Sequence, residues 1–596
     1  MYVKNIDYRE IHIISSHNLA VREEETIVRV AGAAGDGVQS AGMIISKVFV
    51  RNGLNVMTYN YYQDVIRGGQ SWYQIRGSHN PVRSQGDGLD ILIALNRDGV
   101  ERHTNPEINE GGASPLEGIA IFDQGITDYS PRSARYCPMP LAEIAAKHSK
   151  VALVKNTVAI GAAMASLGID FSIVADVIRD TFGTKGNVAE QNVSAAKEGY
   201  ETYKAKYPPL NKRLKTGGKG KLLLSGGEAV GLGAVSGGLK MYIAYPMTPA
   251  SSCLHFLAAH AKQYDLFVKI PEDEISAINM AIGANYAGVR AMTGSSGGGF
   301  SLMVEALGMA GMLEIPIVVY ESQRPGPSTG IPTKTEQGDL NLVLGASQGD
   351  FPRIILAPGD AAQSFYLTRE ALNIADTYQA PVIVMSDLYL SEHEESVDGL
   401  DLSFTPDYGK RSGDGEANYR RYLITDDGIS PRAVPGQEGL MHNEDSDEHD
   451  EYGNVVSDAE TDPRKRVAIM EKRMRKLEAY RSTIPATDTY RFDDADVAVV
   501  QWGSTRGVVE EAIDLLRERG IRAGAVEVTH VFPLNGDIEK LLKGKKVIVV
   551  EGNYTGQFNR LLKSEFPVDT VLVNKFNGEA FYPGELAGMI QGAIRN

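Results

Sequence analysis

One pattern constrains this chain more than any other: a β-rich run, a glycine turn, an amphipathic stretch and a second β-rich run, in that order, three times over. The first copy is TIVRVAGAAGDGVQSAGMIISKVFVRNGLNVMTY, from Thr26 to Tyr59, with a helical pattern from Gln39 to Val50. The second begins at KLLLSGGEAVGLGAVSGGLKMYIAYP, and the third is ADVAVVQWGSTRGVVEEAIDLLRERGIRAGAVEV. Apolar runs of strand length flanking a 3.6-residue period read as βαβ units. Repeated βαβ alternation predicts an α/β fold of three doubly wound domains, with parallel sheets covered by helices on both faces. Ligands are then expected beyond the carboxyl ends of the strands.

The breaks between the units follow from composition. The run KYPPLNKRLKTGGKGK at 206–221 has the prolines, glycines and positive charge of a connection, which places a boundary near 215. Glycine, proline and acidic residues replace periodic pattern over about 400–465, and the helical stretch RKRVAIMEKRMRKLEAYRSTI leads from there to the third unit. The resulting division is 1–215, 216–400, an acidic insert with a linker helix at 401–485, and 486–596. A loop as long as the insert is expected to be a disordered linker or a functional lid.

Charge and cysteine content exclude several function classes. A formal net charge of -16 opposes general nucleic-acid binding, which needs a basic face. No stretch approaches the ~18 apolar residues of a membrane span. The start, MYVKNIDYREIHIISSHNL, lacks the apolar core of a secretory signal, so a soluble cytoplasmic protein is expected. The only two cysteines, Cys137 and Cys253, cannot supply the four thiolates of an ordinary four-iron cluster, and are expected as buried small hydrophobes rather than a disulfide. Any iron-sulfur chemistry therefore belongs to another chain. His442 and His449 lie among carboxylates in HNEDSDEHDE, which reads as a solvated loop, and no metal is assigned to this chain.

Gly32, Gly35 and Gly37 follow a predicted strand and open a helix, where free backbone amides at a positive helix end suit a phosphate. Their spacing, GxxGxG, reverses the dinucleotide fingerprint, and Val56, Met57 and Thr58 stand where an acidic ribose partner is needed. A tight βα turn needs glycine on backbone grounds alone, so both readings stay open. The GDG triplets at 35–37, 86–88 and 413–415 lack the downstream Asn pair of a thiamine-magnesium motif and read as turns.

The richest segment runs from Tyr245 to Asp339. YPMTPASS carries a strand into a loop displaying Thr248, Ser251 and Ser252, whose hydroxyls either bond a bound acid or cap the helix starting near Cys253. YPMTP, the acidic helix start followed by AIGANYAG, TGSSGGG and the strand ending in QRPGPSTG together resemble the alpha subunit of 2-oxoacid:ferredoxin oxidoreductases. GAAGDGVQSAG and RGGQSWYQIRGS at 67–78 resemble that family's gamma domain, fused in front. DEHDEYGNV, QWGSTRGVVEEAIDLLRERG and VEGNYTGQFNRLL resemble the rest of the alpha subunit, so the likeness covers nearly the whole chain.

The resemblance implies a gamma domain, a thiamine-enzyme pyrimidine-type domain and a transketolase C-terminal-like domain, in that order. It implies thiamine diphosphate with magnesium, held mainly by a separate beta subunit that also carries a 4Fe-4S cluster, with coenzyme A as cosubstrate and ferredoxin as electron partner, in a dimer of heterodimers. Glu274 occupies the place of the glutamate that reaches the aminopyrimidine of thiamine; from the residues alone it complements a helix N-terminus. Arg324 matches the substrate-carboxylate position and Thr248 the hydroxyl beside the oxo acid; alone, Arg324 reads as a surface arginine. Lys334 is read either as a contact for a second, distal carboxylate or as part of a solvated loop. The fused order and PSTGIPTKTEQGD look closest to the 2-oxoglutarate type, with pyruvate, branched-chain and indolepyruvate enzymes as alternatives. A non-catalytic assembly subunit of the same fold is the rival from another class.

Overall fold

The computed structural model describes residues 23–64, 69–104, 116–126, 135–183, 186–212, 214, 220–416, 418–456 and 463–595. The chain start, Arg67 and Gly68, and the boundary near 215 lie outside the described residues. Contacts divide the chain into two units, one of residues 1–224, 393–400 and 582–588, the other of 225–392, 401–581 and 589–596. No helix among the described residues is long and apolar enough to cross a membrane.

The first unit is built on β1 (Glu25–Ala33), β2 (Asn55–Tyr61), β3 (Gln70–Ser78), β4 (Leu89–Ala94), β5 (Leu116–Asp123), β6 (Arg135–Met139) and β7 (Leu222–Ser225), joined by β14 (Glu394–Val397). Their order is β6-β5-β4-β1-β3-β2-β14-β7. The helix expected at 39–50 is present as Val38–Arg51. The expected pairing needs correction, because β3 lies between β1 and β2 and is antiparallel to both. Two glycines let the helix lie directly on β3: a Cβ on Gly42 would fall 2.2 Å from the Tyr73 ring, and one on Gly77 2.5 Å from Phe49. The core is then a helix-on-sheet layer of Ile44, Ile45, Val48 and Phe49 over Val28, Val30 and Ile75.

The second unit holds two sheets. In the larger, β8 (Met241–Ile243), β9 (Phe267–Lys269), β10 (Ala291–Ser295), β11 (Ile317–Gln323), β12 (Ile354–Leu356) and β13 (Pro381–Asp387) run parallel, and β18 (His530–Phe532) closes an edge antiparallel to β12. The order is β18-β12-β13-β11-β10-β8-β9. The smaller sheet contains β15 (Asp488–Tyr490), β16 (Val497–Trp502), β17 (Ala523–Val528), β19 (Lys546–Glu551) and β20 (Thr570–Asn574), in the order β15-β17-β16-β19-β20. Here the third copy of the pattern is a true βαβ: β16 and β17 are parallel neighbours joined through helix Arg506–Glu518. The second copy is not, because β7 is a strand of the first sheet whereas β8 belongs to the second.

The acidic insert also differs from expectation. It has almost no regular structure, yet it is not a loose linker, because arginines inside it cap helix ends. Arg421 is fully buried, donates to the carbonyls of Leu313 (3.0 Å) and Glu314 (2.9 Å), and pairs with Glu444 at 2.7 Å. Arg432 donates to the Asn285 carbonyl at 2.9 Å and to Asp376 at 3.2 Å. A cation on the orphan carbonyls of a helix C-terminus is favourable twice over, as a hydrogen bond and against the helix dipole. HNEDSDEHDE is accordingly only partly solvated. His442 bonds the Leu440 carbonyl and Glu444, and buried His449 bonds the Asp447 carbonyl and lies 3.8 Å from the Tyr422 ring. Linker helix Pro463–Arg481 sends Lys472 and Lys476 to the buried carboxylate of Glu314.

Candidate active site

The chemistry-bearing residues of the second unit gather past the carboxyl ends of β8, β10 and β11, as a parallel sheet requires. β10 ends in Ser295, and Ser296 followed by three glycines turns the chain into helix Gly297–Leu313. Glycine is needed at the third of these positions because the backbone passes a carboxylate: a Cβ on Gly299 would lie 2.1 Å from Ser295 Oγ and 2.5 Å from Glu274 Oε1.

Glu274 is the first residue of helix Glu274–Tyr286, but it does not serve that helix as a cap. Asp273 does, accepting the Ser276 backbone N–H at 2.7 Å, a bond that holds its carboxyl below the usual range. Glu274 turns inward, is 4% exposed, and its Oε1 is buried without a hydrogen-bond partner. An orphaned carboxylate oxygen costs about 1–3 kcal/mol unless a donor arrives from outside the chain. The buried hydroxyls of Thr293 and Ser296 are likewise without partners. This cradle of one carboxylate and small residues fits the edge of a flat ring that donates a hydrogen bond, as the protonated ring nitrogen of an aminopyrimidine does. Gly299→Ala is expected to destabilise the unit by about 1–3 kcal/mol through overpacking. It should also lower turnover by pushing Glu274 aside, which thermal melts and rates on the same preparation check together.

Arg324 follows β11 and is half-buried, its Nη1 donating to the Thr248 carbonyl at 2.9 Å. The structure therefore brings Thr248 and Arg324 together, with the Thr248 side chain half-buried beside them. The capping reading of the neighbouring hydroxyls does not hold. Helix Ser251–Tyr264 starts from Ala250 with no side-chain cap, and Ser252 Oγ donates to the Pro249 carbonyl at 3.1 Å. Lys334 is no solvated loop residue: its ammonium meets Glu579 at 2.6 Å with both side chains largely buried. Burying an ammonium without a counter-charge is costly, which is why the loop carries it to an acid. Cys253 is wholly buried, its thiol pushed up to about 12 by desolvation, and Cys137 is buried too.

In the first unit, Gly35 (φ 95°) and Gly37 (φ 80°) adopt left-handed backbone, Gly37 as the N-cap of helix Val38–Arg51. Asp36 closes the turn, accepting the Ala33 N–H at 2.9 Å and the Asn96 amide at 3.2 Å. The turn borders a cleft of about 370 Å³ lined by Gly35, Gly37, Gln39, Ser40, Gln63 and Ser71, while Gly32 lies behind it against Asp36. The other two GDG triplets are structural turns: Asp87 accepts the Gly584 N–H, and Asp414 the Gln437 amide.

Sequence reasoning missed Ser296, Glu321 and Asp339. TGSSGGG flagged the first region without saying which hydroxyl is left unpaired. Nothing in IVVYESQ announces that Glu321 is fully buried.

Three family models match the chain: "Pyruvate ferredoxin/flavodoxin oxidoreductase" over 27–202, "Pyruvate flavodoxin/ferredoxin oxidoreductase, thiamine diP-bdg" over 232–468, and "Pyruvate:ferredoxin oxidoreductase core domain II" over 495–585. The chain is 32% identical to a 2-oxoacid:ferredoxin oxidoreductase subunit alpha of Sulfolobus sp, over 95% of this chain and 96% of that one. It is 28% identical to the 2-oxoglutarate oxidoreductase subunit KorA of Mycobacterium tuberculosis, over 96% and 92% respectively. Among solved structures it resembles the 2-oxoglutarate:ferredoxin oxidoreductase of Magnetococcus marinus with 2-oxoglutarate, coenzyme A and succinyl-CoA bound. That match has a TM-score of 0.89 and 33% identity, and covers 96% of this chain and 100% of that one.

Proposed function

Since the chain belongs to the 2-oxoacid:ferredoxin oxidoreductase alpha-subunit family, we propose that it is the alpha subunit of a cytoplasmic 2-oxoglutarate:ferredoxin oxidoreductase. 2-Oxoglutarate, coenzyme A and oxidised ferredoxin are interconverted with succinyl-CoA, carbon dioxide and reduced ferredoxin. The observation that carries the substrate choice is the whole-length likeness to the Magnetococcus marinus enzyme, whose structure holds 2-oxoglutarate and succinyl-CoA. With two cysteines in this chain, the 4Fe-4S cluster falls to a beta subunit, which also holds most of thiamine diphosphate and its magnesium, in a dimer of heterodimers.

Thiamine diphosphate, when bound, supplies the carbon nucleophile and the electron sink for decarboxylation. Glu274 accepts a hydrogen bond at the aminopyrimidine ring nitrogen and exchanges a proton there, its unpartnered oxygen being the group that suits the task. Arg324, steadied by the Thr248 carbonyl, holds the 2-oxoacid carboxylate in a bidentate clamp, and the Thr248 hydroxyl orients the oxo group. Lys334 serves the distal carboxylate of 2-oxoglutarate by sharing its ion pair with Glu579. Gly35 and Gly37, with Gly32 behind them, form the turn that suits a cofactor phosphate at the first-turn amides.

Arg324→Lys is expected to lower kcat/KM for the 2-oxoacid by about 1–3 kcal/mol of transition-state binding, because a point charge replaces a planar fork. Lys334→Ala should hurt 2-oxoglutarate far more than 2-oxobutyrate, which has no second acid. Steady-state kinetics of the reconstituted complex on both substrates check the two variants. Equal losses on both would remove Lys334 from the specificity argument, and unchanged kinetics in Arg324→Lys would remove the clamp.

A further inference from the structure

In the smaller sheet of the second unit, the chain passes from β16 to its neighbour β17 on one side, while β19 pairs with β16 on the other. The strand order therefore reverses between β16 and β19. In a doubly wound sheet the crevice beyond the carboxyl ends of two such strands is where a ligand binds. Here a side chain of the same molecule fills it. Gln337 is 2% exposed; its Nε2 donates to the carbonyl of Trp502, the last residue of β16, at 2.9 Å. Its Oε1 accepts the N–H of Gly552, directly after β19, at 2.8 Å. The Gln337 N–H donates to the Gly552 carbonyl at 2.7 Å, and its carbonyl accepts from Asn553 Nδ2 at 3.0 Å. Gly503 makes room for this, since its backbone is left-handed (φ 59°) and a Cβ there would lie 2.9 Å from Gln337 Nε2. What remains of the crevice is a pocket of about 30 Å³, room for about one water.

Gln337 belongs to a loop that leaves β11 at Arg324 and closes on itself. The Asp339 N–H donates to Gln323 Oε1 at 3.1 Å, and buried Gln323 donates in turn to the Ser386 carbonyl at 3.0 Å. A segment with its ends joined in this way is an Ω-loop. Its two limbs are held differently. Arg324 directly follows β11, a strand buried along its whole length. Lys334 lies far along the loop, and contacts with the smaller sheet deliver it. The Thr335 N–H donates to the Gly578 carbonyl at 3.1 Å, and the Lys334 ammonium meets Glu579 at 2.6 Å. The Gln557 side chain bridges the loop's end, donating to the Gly338 carbonyl and accepting the Asn341 N–H, both at 2.7 Å. Between the limbs the loop passes over the glycine turn of the site, where the Ser328 carbonyl lies 3.9 Å from the place of a Cβ on Gly298.

We infer that the smaller sheet holds the Arg324–Gly338 loop of its own chain as a ligand in its crevice, and that Gln337 and Gln557, by fixing the loop, set the reach of Lys334 and with it the preference for a substrate with a second carboxylate. The first half stands on the hydrogen bonds alone; the second rests on the reading of Lys334 as the distal-carboxylate contact. Both glutamines are positioning residues, since neither is placed against the substrate.

Hydrogen-deuterium exchange and steady-state kinetics of the assembled complex test both halves. In wild type the amides of Thr335, Gln337 and Asn341 should exchange within about tenfold of those in β16 and β19, because partners outside the loop hold them. Exchange as fast as in an open loop overturns the first half. Gln337→Met and Gln557→Met keep the volume and remove the side-chain bonds from opposite sides of the seam. Each should speed exchange over 335–341 by about tenfold or more and leave β16 and β19 unchanged. Each should also raise KM for 2-oxoglutarate about fivefold, the effect of roughly one lost hydrogen bond, with kcat and the KM for 2-oxobutyrate changed less than about twofold. Unchanged exchange in both variants overturns the seam. Faster exchange with KM unchanged, or with KM raised equally on both substrates, overturns the positioning role. Gln557 is half-buried, so its variant decides alone should Gln337→Met fail to assemble. Failure of the Lys334 reading itself is distinguishable, because Lys334→Ala would then weaken both substrates alike while the exchange result stands.

Discussion

Glu274→Gln is expected to assemble normally and to lose about 10²-fold or more in turnover, the range typical of removing a positioned acid-base group. The isosteric amide preserves volume beside Gly299 and Ser295, and the helix keeps its cap because Asp273 alone accepts the Ser276 N–H. Stability should therefore move by well under the roughly 1 kcal/mol that loss of a cap costs. What changes is that an amide cannot exchange a proton with a ring nitrogen. Rates per assembled complex, with melting curves alongside, separate the outcomes: a large rate loss at unchanged stability supports the acid-base role. A stability loss with a normal rate supports the helix-end reading and, with it, the non-catalytic rival.

The largest stability effect is expected at Glu314→Gln. Glu314 is fully buried and is held by Lys472 Nζ at 2.6 and 2.7 Å and Lys476 Nζ at 2.5 Å. Burial alone would raise its carboxyl, but the two ammonium groups outweigh burial and hold it far below the usual range. The amide leaves both lysines buried with no counter-charge, which costs about 3–5 kcal/mol. It also loosens the anchor that ties helix Pro463–Arg481 to the C-terminus of helix Gly297–Leu313. A depressed carboxyl contributes stability above its unfolded value near ~4.3 and loses it progressively below. Wild type should therefore lose this contribution below about pH 4, and the variant, having none, should show a smaller acid-induced fall. Urea unfolding at neutral and acid pH measures both; a midpoint shift under about 1 kcal/mol at neutral pH would show that the lysines find other partners.

Local pattern was legible where structure is local. The period of VQSAGMIISKVFVR gave its helix to within a residue at each end, and the third βαβ formed between neighbouring strands. The same pattern says nothing about which sheet a strand joins, so β7 and β8 looked like one unit although they serve two sheets, and β3 was not foreseen between β1 and β2. Motif likeness singled out Thr248, Glu274, Arg324 and Lys334 but not what each would meet: Lys334 pairs with an acid 245 positions away. The insert looked acidic and solvated because its buried arginines, Arg421 and Arg432, find their acceptors on other helices. Glu321 was invisible for a related reason. A charged residue in a strand reads as an edge or a surface until the fold shows what covers it.

The 2-oxoglutarate assignment is tested most directly by kcat/KM for 2-oxoglutarate against pyruvate, measured as coenzyme A-dependent ferredoxin reduction by the chain assembled with its beta subunit. A second carboxylate held by a largely buried ion pair should favour 2-oxoglutarate by about tenfold or more, a preference that Lys334→Ala removes. Equal efficiency, or a preference for pyruvate, would contradict the 2-oxoglutarate assignment.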